Sequence, residues 1–185
     1  AILSEFAIPV VLVTHDRVEA MALSDQLVVM DAGRVLQAGP VEEVFSRPRD
    51  AGVARLVGVE TVVTGEVVAV DDDGLARVRI GERTLTAVAP RESARKVHVC
   101  IRGEEVTLQR GRHADLSVRN QLPAVVSWIS PEGPLVRIGL DCGFELTALV
   151  TRDACRQLQL AAGEQVTAAI KAPAIQLLPV GGMAR

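Results

Sequence analysis

The rhythm of apolar and polar positions changes near residue 60. Before that point, continuous apolar runs alternate with stretches of helical spacing; beyond it, apolar residues recur mostly at every second position. Residues 8–13 form an unbroken, β-branched-rich run, the pattern of a strand buried on both faces. Asp16 and Glu19 follow at the spacing of a capping box, and Val18, Met21 and Ala22 mark one face of the helix they would start. Residues 26–30 and 34–37 flank Asp31-Ala32-Gly33, a hairpin signal in which Gly33 is free to take positive φ. Gly39-Pro40 opens a second helix, Arg47-Pro48 breaks it, and residues 51–57 make a third that ends at Gly58. These sixty residues read as α/β.

From residue 64 onward, short strands at 65–70, 75–80 and 83–88 are separated by the turn clusters 71–74 and 81–82, the pattern of a small antiparallel barrel or sandwich. This part also repeats itself. Val78-Arg79-Ile80-Gly81 returns as Val136-Arg137-Ile138-Gly139, Leu85-Thr86-Ala87 as Leu146-Thr147-Ala148, and Val99-Cys100-Ile101-Arg102 aligns with Ala168-Ala169-Ile170-Lys171. The second copy carries an insert at 153–160 that reads as a short helix, and the polar stretch 111–116 reads as a linker. Two related five-strand units are expected, and with them a division of the chain into residues 1–60, 61–112 and 113–181.

Composition narrows the function classes. The 185 residues carry a net charge of −3 and only 2% aromatic side chains. A nucleic-acid binder needs a basic stripe, and a single-strand binder adds stacking platforms; this chain shows neither. No apolar run reaches the roughly 18 to 20 residues that cross a bilayer, and no leader segment is visible. Cys100, Cys142 and Cys155 are odd in number and form no CxxC pair, which fits free thiols and no metal site.

His15 stands at the carboxyl end of the first apolar run, directly before the capped helix. In a parallel sheet this edge gathers ligands, and a neutral imidazole there bonds a phosphate, a lytic water or only its neighbours. The run from Val10 to Gly58, with its Thr14-His15-Asp16, resembles the end of the nucleotide-binding domain of ABC importers. The resemblance implies that His15 is the switch histidine, which contacts the γ-phosphate of ATP in an intact ATPase with Mg²⁺. Asp16, Glu19, Ala20, Asp25, Met30, Gly33, Gly39 and Pro48 fit the same pattern. The family's phosphate-binding loop, signature motif and catalytic glutamate all precede the matching segment. These 185 residues alone are therefore expected not to hydrolyse ATP, and the chain is expected to be the C-terminal piece of a longer polypeptide.

Residues 116–129, with 144–151 and 166–178, resemble the Mop-type oxyanion-binding fold, an OB-like barrel of molybdate-transport ATP-binding subunits. Ser117-x-Arg119-Asn120 and Ile170-Lys171-Ala172-Pro173 are its most specific features here. The fold class expected is thus an α/β remnant of an ABC ATPase domain followed by an all-β, OB-like (TOBE/Mop) barrel region with a short inserted helix. A tetrahedral dianion such as molybdate or tungstate offers acceptors and no donors, so its site needs hydroxyls, amides and cations. Ser117 offers a hydroxyl, the amides around Val118, Arg119 and Asn120 a nest, and Lys171, next to Ala172, a point charge. Taken singly, Ser117, Arg119 and Lys171 also fit a solvated surface. Ala154 departs from relatives that carry serine there. The resemblance further implies a homodimer, transmembrane permease subunits as partners, and a cytoplasmic location on the inner face of the membrane.

Three other readings stay open: the tail of a sugar, polyamine or iron importer with a purely structural barrel, a free-standing oxyanion-binding protein, and an OB-type nucleic-acid binder. Trp128 reads as a core or interface anchor and His98 as an exposed strand residue. Asp71-Asp72-Asp73-Gly74 reads as a hairpin turn, and Glu104 and Glu105 as neighbours on opposite faces of a strand.

Overall fold

A computed structural model describes residues 9–90, 94–111 and 116–181. The chain divides between Pro48 and Arg49 into two units. In the first, α1 (Arg17–Leu23) is capped by Asp16, whose Oδ1 accepts from the amides of Val18 at 2.8 Å and Glu19 at 3.1 Å. The reciprocal arm differs from a capping box. The Asp16 amide donates to the Thr14 hydroxyl, which donates in turn to the Glu19 carboxylate, so Thr14 relays a bond that Glu19 does not make directly. The hairpin of β1 (Gln26–Asp31) and β2 (Arg34–Pro40) turns on Ala32 and Gly33, both at positive φ, as a two-residue loop requires. Helix α2 (Val41–Ser46) starts at Pro40 and buries Val44 and Phe45.

The buried strand expected over residues 8–13 is not formed in the described part. Val10, Val11, Leu12 and Val13 are exposed and outside any strand; Ile8 lies outside the described residues. A central strand exists only when neighbours supply its ladder, and no described residue pairs with this one. The sheet of the first unit is an antiparallel hairpin.

The second unit begins with α3 (Ala51–Leu56), capped by Asp50 and packed on β3 (Thr61–Val70) and β6 (Lys96–Ile101). Between these run β4 (Leu75–Ile80) and β5 (Arg83–Val88). A 3₁₀ turn at Gly103–Glu105 and the short β7 (Thr107–Gln109) complete the first half. The second half repeats this order with β8 (Asn120–Glu132), β9 (Leu135–Asp141), β10 (Glu145–Thr151), β11 (Gln165–Ile170), a 3₁₀ turn at Ala172–Ala174 and β12 (Ile175–Pro179). Helix α4 (Arg152–Gln157) is the insert. Asp71–Gly74 is the β3–β4 turn, with Asp71 Oδ1 accepting from the Leu75 amide. Glu104 and Glu105 sit on the 3₁₀ turn rather than on a strand, and both are exposed.

Each half donates its last strand to the other. One sheet runs β12-β6-β3-β4-β5 and the other β10-β9-β8-β11-β7. Thus β7 pairs with β11, and β12 with β6. Each curled sheet has five strands, four of its own and one exchanged, and one apolar cluster built from Leu85, Val99, Ile101, Ile138, Leu146 and Ile170 among others runs through both.

Register makes the internal symmetry exact at several points. Thr61 pairs with Ile101 and Asn120 with Ile170, so Thr61 corresponds to Asn120 and Ile101 to Ile170. Val78 faces Leu85, and Leu140 faces Leu146. Leu85 and Leu146 therefore correspond as the sequence suggests, whereas the counterpart of Val78 is Leu140 and not Val136. The β8–β9 hairpin is longer, and the sequence likeness slides along it by four positions.

The three cysteines are free. Burial pushes the Cys100 and Cys142 thiols up to about 12, while Cys155 is half-buried on α4. At pH 8 a thiolate-directed reagent is therefore expected to label one cysteine rapidly in the folded chain and three in denaturant. Mass spectrometry of the trapped protein checks this, and fast native labelling of Cys142 would contradict the packing around it.

Candidate anion site

The site residues expected from sequence gather at one end of the β8–β11 ladder. The last pair of that ladder is Asn120 with Ile170, so Arg119 and Lys171, one residue further on, stand across from each other. Both are exposed, and neither side chain makes a hydrogen bond or ion pair among the described residues; the Lys171 carbonyl accepts from the Ala174 amide at 3.0 Å. Two cations facing each other with no carboxylate paired to them among the described residues leave a local positive field that a dianion offsets. Ser117 is exposed and Val118 half-buried on the approach to β8, while Ala172 is buried at the start of its 3₁₀ turn, directly after Lys171.

Asn120 has a different place. Only 4% exposed, it points inward with its amide fully engaged: Oδ1 accepts from the Thr86 amide at 2.7 Å, and Nδ2 donates to the carbonyls of Thr86 at 2.8 Å and Ile170 at 3.1 Å. Its side chain ties β8 to the β5 edge of the other half and fixes the backbone that carries Arg119. The matching contact is simpler. Thr61 Oγ1 accepts from the Thr147 amide at 3.0 Å, and Thr147 corresponds to Thr86. The two halves are thus stitched by reciprocal bonds at equivalent positions.

The first half has its own version of the cationic end, with one sign reversed. Glu60, directly before Thr61, corresponds to Arg119, and Arg102 to Lys171. The Glu60 carboxylate accepts from the Gly103 amide at 3.0 Å through Oε2, and its Oε1 lies 3.7 Å from Arg137. Sequence reading passed over Glu60 because the self-comparison began at the first clear strand. Extending it upstream sets Gly58-Val59-Glu60-Thr61 against Ser117-Val118-Arg119-Asn120 and exposes the exchange of charge.

His15 is exposed on the bend before α1, separate from these residues in sequence and in unit. Ala154 is the residue whose amide donates to the capping Thr151 hydroxyl. Trp128 lies half-exposed across Gly139, where a Cβ would fall 2.1 Å from its Nε1; the glycine makes room for the ring. His98 is half-buried on β6. The described surface also holds an open groove of about 670 Å³ lined by Arg83, Pro123, Asp141, Gly143 and Gln165, with none of Ser117, Arg119 or Lys171 in its wall. Pocket size and cationic chemistry therefore point to different places, and the chemistry is the better guide for a small dianion, which needs donors more than volume. Among the described residues no cluster of histidine, cysteine and acidic side chains suits a metal ion.

Residues 116–177 match the TOBE domain family model. The chain is 36% identical over 177 residues to the molybdate/tungstate import ATP-binding protein WtpC of Pyrococcus horikoshii, covering 95% of this chain and 48% of that protein. It is 36% identical over 192 residues to the molybdenum import ATP-binding protein ModC of Rhodopseudomonas palustris, covering 98% of this chain and 50% of that protein. Residues 116–177 are thus a TOBE domain, and the chain is related to TOBE-bearing import ATP-binding proteins. It spans about half the length of the curated relatives it matches. Among solved structures, a cytoplasmic molybdate-binding protein, ModG, crystallised with molybdate bound, superposes with a TM-score of 0.59 at 26% identity, over 66% of this chain and 98% of that one. The OB-like TOBE barrel expected from sequence is the fold of the second unit.

Proposed function

We propose that the chain is the regulatory part of an ATP-binding subunit that energises molybdate or tungstate import, and that its barrel senses the oxyanion. The observation that carries this reading is the pair Arg119 and Lys171, two cations on facing strand ends whose side chains have no ion pair among the described residues, with Ser117 two positions before Arg119. Arginine supplies two parallel donors and lysine a mobile point charge, which together suit a tetrahedral dianion. The amides near Val118 and Ala172 complete the donor set, and Asn120 acts as a positioning residue. In the complete subunit, His15 would meet the γ-phosphate of ATP, with Mg²⁺ held by residues of other segments. Permease subunits and a second copy of the chain are the proposed partners, on the cytoplasmic face of the membrane. Among the described residues no helix is long and apolar enough to cross a bilayer.

A calorimetric titration with sodium molybdate beside sodium sulfate tests this reading. Saturable molybdate binding in the micromolar range, weaker for sulfate and lost in an Arg119→Ala, Lys171→Ala double variant, is expected. No heat at any concentration would leave the barrel a structural element of the importer.

A further inference from the structure

The internal symmetry raises the question of why the first half, built on the same strands, should not take an anion as well. Its end of the β3–β6 ladder carries Glu60 across from Arg102, one residue beyond the pair Thr61 and Ile101. Glu60 is an unusual acid. Its side chain is only 9% exposed, and the carboxylate spans the buried Gly103 amide at 3.0 Å and the Arg137 guanidinium at 3.7 Å. Arg137 belongs to β9 of the other half and also holds Glu132 through two bonds of 2.7 and 2.9 Å. Arg102 donates to the Val57 carbonyl at 3.4 Å. A largely enclosed carboxylate that meets an amide on one oxygen and a cation on the other is doing what a bound oxyanion does.

We infer that Glu60 is a built-in anion: its carboxylate holds, in the first half, the place that the second half leaves open to a free oxyanion, so that each chain takes one oxyanion rather than two. The count of one rests on the oxyanion reading of the Arg119 and Lys171 end; the role of Glu60 does not. Charge at two corresponding positions, Glu60 and Arg119, then decides which half is a sensor and which is a fixed brace between the halves.

If the carboxylate is an internal ligand, a small external carboxylate should replace it. The full chain carrying Glu60→Ala is expected to unfold about 5 °C or more below wild type, because the Gly103 amide loses its acceptor and Arg137 one of its two counter-charges. Sodium formate at about 0.1 M is expected to restore more than half of that loss, while sodium chloride of matched ionic strength does not. Wild type and Glu60→Gln, in which the place stays filled, should respond equally to the two salts. Glu60→Ser leaves nearly the same space and carries the same test if the alanine variant is recovered only as aggregate. Equal effects of formate and chloride on the alanine or serine variant would overturn the inference. A molybdate titration of the same proteins separates it from the reading on which the count rests: one site in wild type and two in Glu60→Ala supports both. Formate rescue with no molybdate bound by wild type supports the role of Glu60 and sinks the oxyanion reading alone.

Discussion

Replacing Asn120 with alanine is expected to lower the stability of the second unit by about 3–5 kcal/mol, the largest effect of any polar substitution considered. Three bonds of 2.7 to 3.1 Å end on this one side chain, at a residue 4% exposed. Removing it strands the amide and carbonyl of Thr86 and the carbonyl of Ile170, and a buried group without a partner costs more than the net worth of the bond it lost. The cost is not only local. Asn120 binds the β5 edge of the first half while sitting on β8 of the second, so its loss loosens the junction between halves as well as the end of the β8–β11 ladder. Thr61→Val, which removes one acceptor at the corresponding position, is expected to cost about 1–2 kcal/mol. Urea unfolding followed by far-ultraviolet circular dichroism measures both. An Asn120→Ala loss no larger than that of Thr61→Val would show that water replaces the amide and that the stitch is weaker than its geometry.

The second large effect concerns binding. Arg119→Glu gives the second half the charge arrangement of the first, an acid across from Lys171 in place of a facing pair of cations. Molybdate affinity is expected to fall about 100-fold or more, equivalent to about 2.7 kcal/mol, since a favourable charge-assisted contact is replaced by repulsion of a dianion. The melting temperature of the variant without ligand should stay within about 2 °C of wild type, because Arg119 is exposed and makes no described bond. The split between binding and stability is what distinguishes a ligand residue from a brace. A variant that binds molybdate as wild type does, or that loses binding only by melting, would remove Arg119 from the site.

Much of this molecule was legible because its strands are short and regular. The bounds of β4 and β5 fell where alternation and the two turns put them. The Gly33 hairpin followed from the turn chemistry, and the helical insert from its place in the repeat. Residues 8–13 show the opposite case. Their apolar run carries information about partners that a strand needs, and without a described neighbour Val10 to Val13 stay exposed. The exchange of β7 and β12 was hidden for a related reason, because nothing in the sequence of Leu108 or Leu177 says which half supplies its ladder. The four-residue slide of Val78 onto Val136 was hidden by strand geometry itself. An even shift keeps each side chain on its original face, so both valines point into the core and the likeness survives the wrong register. At the candidate site, sequence motifs led to Arg119 and Lys171, but the separate role of Asn120 needed its three bonds. Glu60 was within reach of the self-comparison extended upstream, but its contacts with Gly103 and Arg137 needed the fold.

The most direct test of the central claim, that the open cationic end of the second half holds the oxyanion, is a crystal of the full chain grown with tungstate and measured at the tungsten absorption edge. Tungsten scatters anomalously and marks its position without any assumption about the site. The account predicts one anomalous peak per chain within hydrogen-bond reach of Arg119 and Lys171, and none beside Glu60. A peak in the groove near Arg83 and Asp141, or no ordered tungsten in crystals that diffract well, would contradict it.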